Sequence, residues 1–114
     1  MEHSAEYIVN TTEENFEETV VKASHERLVL CDISADWCAP CNILKPVLTQ
    51  VAHEYKGQFI LSVVDADENM KIAGRHQVRG FPTVIAYVKG EEVGRFQSAQ
   101  SKSFLMSFVE DHLF

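Results

Sequence analysis

Two cysteines separated by two residues stand where a strand is expected to pass into a helix, and this placement constrains the chain strongly. Residues 28–34 are apolar and partly β-branched, which predicts a buried strand. Apolar residues then recur at helical spacing, which predicts a helix over residues 38–56. Cys38 would lie at the N-terminus of this helix, where free backbone amides and the helix dipole favour a thiolate. Cys41 would follow one turn later, close enough to form a disulfide with Cys38, so the sequence predicts a redox-active dithiol.

The sequence Trp-Cys-Ala-Pro-Cys at positions 37–41 resembles the active-site motif of the thioredoxin family, and further features agree with it in register. Asp32 stands at the position of that family's buried aspartate, and Pro46 at the position where its active-site helix is kinked. Residues 64–69 resemble the third strand of the family and its acidic exit. Residues 78–83 resemble the segment that carries the cis-proline of the family. The similarity extends over nearly all 114 residues.

Hydrophobic periodicity predicts the order βαβαβαββα, which indicates an α/β protein with a mixed sheet flanked by helices on both faces. The resemblance implies the same architecture, a thioredoxin fold. Thr11 and Glu14 have the spacing of a capping box and are expected to begin the first helix. Residues 1–114 are expected to form a single domain, which can also be a domain of a longer protein. The predicted strands are 7–10, 28–34, 59–64, 83–88 and 92–97, and the predicted helices are 11–24, 38–56, 69–76 and 101–112.

The resemblance implies a protein-disulfide reductase that works through a mixed disulfide. It implies that Cys38 is the nucleophile and that Cys41 is the resolving thiol, which is expected to be the more buried of the two. Asp32 is expected to accept the proton of Cys41, because burial raises the pKa of a carboxyl towards neutrality. Pro82 is expected to follow a cis peptide bond. The expected substrate-binding residues are Trp37, Ala39, Pro40, Gly80 and Phe81.

The expected partners also follow from the resemblance. They are proteins that contain disulfides and an electron donor resembling thioredoxin reductase. No bound cofactor is expected, since the Cys38–Cys41 disulfide itself carries the electrons, and the protein is expected to act as a monomer. The formal net charge of −7 argues against nucleic acids and anionic membranes as partners, because both require a basic surface.

Cysteine usage and the first residues predict a reducing cytoplasm. Three cysteines are an odd number, which argues against a secreted disulfide scaffold, and residues 1–6 lack the regions of a signal peptide. Cys31 is expected to be a small buried apolar residue. The histidines at positions 3, 25, 53, 76 and 112 are scattered, and no second Cys-x-x-Cys motif is present, so no metal site is expected.

Several positions depart from the family pattern and leave alternatives open. Val63 replaces a lysine that usually neighbours the buried aspartate. The loss of this positive charge is expected to raise the pKa of the aspartate further. Residues 57–61 resemble thioredoxin-like domains that are joined to tetratricopeptide repeats, so a client-binding chaperone with accessory redox activity is the alternative function. An oxidase or isomerase is disfavoured by Ala-Pro between the cysteines. The other departures are Ser34 for an aromatic residue, Ala39 and Ser98 for glycines, and Asn42 for a basic residue.

Overall fold

A five-stranded mixed sheet forms the centre of the computed structural model, which describes residues 6–114. Its strand order is β1-β3-β2-β4-β5, in which β1, β3 and β2 are parallel, β4 pairs antiparallel with β2, and β5 pairs antiparallel with β4. The fold class predicted from the sequence is confirmed. Residues 1–5 lie outside the described residues. They include His3 and most of residues 1–6, for which no signal peptide is expected. The strands are β1 (Ile8–Asn10), β2 (Leu28–Ser34), β3 (Phe59–Asp65), β4 (Thr83–Val88) and β5 (Glu91–Gln97).

Helical segments cover both faces of this sheet. A π-helical segment, Glu17–Lys22, continues into a 3₁₀ turn, Ala23–His25. The α-helices are α1 (Ala39–Glu54), α2 (Met70–Arg75) and α3 (Lys102–His112). Helices α1 and α3 pack on one face, and the π-helical segment and α2 pack on the other. Within residues 6–114, none of the helices combines the length and the apolar character that crossing a membrane requires.

The start of the first helical segment differs from the predicted capping box. Thr12 and Asn15 form the reciprocal pair: the N–H of Thr12 donates to Oδ1 of Asn15 at 2.7 Å, and the N–H of Asn15 donates to Oγ1 of Thr12 at 3.4 Å. Thr11 is instead buried, and its hydroxyl accepts a hydrogen bond from Ser62 on β3. The prediction for Thr11 and Glu14 is wrong because the tertiary contact with the sheet uses the side chain that the local pattern assigns to the cap.

Strand β2 lies in the middle of the sheet and presents alternate residues to its two faces. Leu28 and Leu30 belong to the cluster beneath α1 and α3, whereas Val29 and Cys31 belong to the cluster on the opposite face. By this alternation the side chain of Asp32 points to the face of the sheet that α1 covers. The dithiol lies at the N-terminus of this helix. Burial raises the pKa of the free thiol of Cys31 to about 12. Cys31 is therefore a buried, protonated thiol on the face of the sheet away from the dithiol.

Candidate active site

The dithiol lies at the N-terminus of α1, immediately after the carboxyl end of β2. Cys38 is the N-cap residue, with extended backbone angles, and Pro40 occupies the first turn, where an amide has no helical partner to lose. Cys38 and Cys41 form a disulfide, with a Cα–Cα distance of 5.3 Å. The N–H of Cys41 donates a hydrogen bond to Sγ of Cys38 at 3.2 Å. A helix N-terminus with an amide directed at sulfur favours negative charge on Cys38.

Exposure distinguishes the two cysteines less than expected. Cys38 is 5% exposed and Cys41 is 4% exposed. Cys41 is thus the more buried of the two by a very small margin, because Ala35 and Phe81 pack around both residues. The difference between the two thiols lies in their position in the helix and in the direction of the hydrogen bond between them.

The segment before β4 lies against the dithiol. The peptide bond between Phe81 and Pro82 is cis, in agreement with the sequence-based expectation. The carbonyl oxygen of Phe81 is 3.5 Å from Sγ of Cys38. Gly80, half-buried beside it, accepts a hydrogen bond from the hydroxyl of Thr83 at 2.7 Å. The geometry thus places Gly80, Phe81 and Pro82 along one edge of the dithiol.

An exposed aromatic residue forms another side of this surface. Trp37 is 68% exposed, and its indole Nε1 donates to Oδ2 of Asp67 at 2.9 Å. Its ring meets Phe81 edge-on, with 5.8 Å between the centroids. Ala39 and Pro40 are also exposed. Trp37 is therefore a surface residue held in place by Asp67, a contact that the sequence analysis did not identify.

Asp32 is a buried carboxyl on β2. It is 2% exposed, and its Oδ1 has no hydrogen-bond partner among the described residues. Its neighbours on the adjacent strands are Val63 on β3 and Val84 on β4. Burial raises the pKa of Asp32 to about 6, and the positive charge of Lys45 on α1 opposes this rise. Although Val63 replaces the lysine of the family, a positive charge still acts on Asp32, because Lys45 supplies it from α1. Lys45 was not identified from the sequence, although its spacing of four residues from Cys41 on a predicted helix was a usable signal.

The loop after β5 lies beside the cis-proline. The N–H of Ser98 donates to the carbonyl oxygen of Pro82 at 3.1 Å. Ser98 is exposed and has a φ of +73°, a left-handed conformation that favours glycine. A side chain therefore stands at this edge of the surface, where the family usually has none.

Histidine, cysteine and acidic side chains are the usual ligands of protein-bound metal ions. His76 is buried, with Nδ1 2.8 Å from the carbonyl oxygen of Ile72 and Nε2 2.5 Å from the hydroxyl of Tyr87. Within residues 6–114, no group of three or more histidine, cysteine, aspartate or glutamate side chains is arranged to hold a metal ion.

Comparisons with known proteins agree with this geometry. The family model described as Thioredoxin matches residues 7–111. The thioredoxin of Pseudomonas aeruginosa is 37% identical over 109 residues, which cover 96% of this chain and 99% of that protein. The thioredoxin of Chlorobaculum thiosulfatiphilum is 32% identical, covering 90% and 93%, and thioredoxin C-2 of Corynebacterium nephridii is 36% identical, covering 93% and 96%.

Proposed function

Because the chain belongs to the thioredoxin family, we propose that it reduces protein disulfides by attack of Cys38 and resolution by Cys41. It is a thiol-disulfide oxidoreductase, a protein-disulfide reductase, that uses its own cysteine pair in place of a bound cofactor. Thioredoxins act on protein disulfides and are reduced by thioredoxin reductase. The observation that carries the assignment of the nucleophile is the hydrogen bond from the N–H of Cys41 to Sγ of Cys38 at the start of α1.

The proposed reaction has two displacement steps. The thiolate of Cys38 attacks one sulfur of the substrate disulfide, forms a mixed disulfide and releases the other substrate sulfur as a thiolate. The thiol of Cys41 then loses its proton to Asp32 and attacks Sγ of Cys38, which releases the second substrate sulfur. Two electrons pass to the substrate, and the enzyme is left with the Cys38–Cys41 disulfide for its electron donor to reduce.

The proposed substrate surface is the rim around the dithiol. Trp37, Ala39 and Pro40 are exposed on the helix side of the cysteines, and Gly80 and Phe81 lie on the cis-proline side. An extended substrate segment would lie between these two sides with its disulfide over Cys38. The left-handed Ser98 beside Pro82 would restrict how closely a bulky substrate approaches.

We expect limited alkylation to modify Cys38 first, because a thiolate reacts and a thiol does not. The reduced protein is treated at neutral pH with less than one equivalent of iodoacetamide, and the modified peptides are quantified by mass spectrometry. Cys31 is the internal control, since burial raises its pKa to about 12 and it is expected to react only after unfolding. Equal modification of Cys38 and Cys41 would contradict the assignment of the nucleophile.

The proposal for Asp32 is supported by a buried carboxyl with a pKa of about 6 on the face of the sheet that α1 covers. We expect Asp32→Asn to slow resolution roughly tenfold while leaving the initial attack nearly unchanged, because solvent can only partly replace a positioned base. An aromatic disulfide such as dithiobis(nitrobenzoate) separates the steps in a stopped-flow experiment. Attack releases the first coloured thiolate at a rate that depends on reagent concentration, and resolution releases the second at a rate that does not.

The control for this measurement is Asp111→Asn, which removes the same charge from an exposed position on α3. It is expected to show both phases at wild-type rates. Equal slowing of both phases in Asp32→Asn, or of neither, would remove Asp32 from the proposed mechanism.

We propose a single domain over residues 1–114, supported by one sheet that organises all described helices. We propose the cytoplasm as its location, supported by an odd number of cysteines and a free buried thiol. We also propose a monomer, which light scattering of the purified protein would test directly.

A further inference from the structure

We propose that Lys45 acts on the reaction through Asp32, by holding this carboxyl in its ionised form from a polar cavity that two immediate neighbours of Asp32 also line. The inference rests on the proposed role of Asp32 and extends it to a residue that does not itself touch the reacting sulfurs. Lys45 is therefore a positioning residue, which acts through the ionisation of Asp32 and not on the sulfurs directly.

The cavity lies at the carboxyl ends of β1, β2 and β3, against α1, and has a volume of about 280 Å³. Lys45 lines it from α1, four residues after Cys41, so both side chains project from the same side of the helix. Two other lining residues are immediate neighbours of Asp32. Val63 is its cross-strand partner on β3, and Ser34 is the next residue of β2 on the same face of the sheet. The cavity thus extends from Lys45 to the surroundings of the buried carboxyl.

The charges around Asp32 make Lys45 the relevant cation. Among the described residues that line the cavity, Lys45 is the one with a basic side chain, and Asp36, Asp65 and Glu68 are acidic. Cys31 adjoins Asp32 on β2, and burial raises the pKa of its thiol to about 12, so it carries no charge near neutral pH. Its strand neighbours on β3 and β4 are valines. Oδ1 of Asp32 has no hydrogen-bond partner among the described residues, so little besides a nearby cation can offset the cost of burying its charge.

This arrangement accounts for the departure from the family at position 63. The resemblance places a lysine on β3 beside the buried aspartate, where this chain has Val63. Here the positive charge comes from α1 instead, and its attraction lowers the pKa of Asp32 against the effect of burial. At pH 7 most of Asp32 is then ionised and able to accept a proton from Cys41.

The test is a titration of the Asp32 carboxyl in the intact oxidised protein, followed by the ¹³C chemical shift of labelled aspartate. The signal of Asp32 is identified as the one that disappears in Asp32→Asn. We expect Lys45→Met to raise the midpoint by about half a unit to one unit, a modest shift because Lys45 is exposed and water screens its charge. Lys45→Arg keeps the charge and is expected to keep the wild-type midpoint.

The matched control is Lys22→Met, which removes an equal charge from an exposed position in the π-helical segment. It is expected to leave the midpoint of Asp32 unchanged. A midpoint in Lys45→Met that equals that of Lys22→Met would overturn the proposal. The titration is made without turnover, so its result stands whether or not Asp32 proves to be the proton acceptor, and the stopped-flow experiment decides that second question separately.

Discussion

Replacement of Cys38 by serine is expected to reduce protein-disulfide reduction at least about a hundredfold, to the background rate. Serine has nearly the same size, but its hydroxyl does not ionise near neutral pH and is not a competent nucleophile towards disulfides. Replacement of Cys41 by serine is expected to block turnover differently, because Cys38 still attacks and the mixed disulfide then has no resolving thiol. Clients should therefore be recovered covalently bound to Cys41→Ser and not to Cys38→Ser. Non-reducing electrophoresis followed by mass spectrometry measures this difference.

Cys31→Ala is the matched control for these variants. Cys31 lies on the opposite face of the sheet from the dithiol, so its variant should turn over at the wild-type rate when folded. Covalent capture by Cys38→Ser at the level of Cys41→Ser would contradict the assignment of Cys38 as the attacking thiol. The double variant Cys38→Ser/Cys41→Ser also addresses the alternative function: if it protects an aggregating client as well as the wild type, chaperoning is independent of the dithiol.

Asp32→Asn is expected to stabilise the oxidised protein by roughly 3 kcal/mol at pH 7 relative to the wild type. Burial raises the pKa of Asp32 from its usual 3.8 to about 6 in the folded state, so the folded protein binds this proton more tightly than the unfolded chain does. The contribution of the Asp32 proton to the free energy of unfolding is fully present below about pH 4. It is lost as the pH rises towards 6. Above pH 6 the loss is nearly complete, because the folded protein then contains a buried carboxylate.

Urea unfolding of both oxidised proteins between pH 4 and pH 7 measures this effect as a difference in the free energy of unfolding. Groups that titrate in both proteins cancel in the difference, which should be small at pH 4 and should increase with pH. Asp111→Asn should show no such trend, since its side chain is exposed. A constant difference between wild type and Asp32→Asn over the whole range would contradict a raised pKa for Asp32. A confirmed trend means that the protein maintains this carboxyl at a cost in stability, as expected for a group retained for function.

Helix and strand order was predictable because it depends on residues close together in the chain. The apolar, partly β-branched run of β2 and the helical spacing after Cys41 led to the correct architecture, with element ends displaced by at most two residues except at the start of the first helical segment. The capping prediction failed at Thr11 for the opposite reason. Two adjacent threonines offer nearly the same local pattern, and the contact of Thr11 with Ser62 on β3, 51 residues away, decided which one caps the segment.

The sequence by itself determined the fold class, the dithiol and the order in which its neighbours follow along the chain. Periodicity, turn residues and the spacing of Cys38 and Cys41 all act over a few residues and can be read without knowing what lies across the sheet. Only the tertiary structure decided the nearly equal burial of the two cysteines, the contact of Trp37 with Asp67 and the electrostatic surroundings of Asp32. Burial and Coulomb interactions depend on distance through space, and here the carboxyl comes from β2 whereas the cation comes from α1.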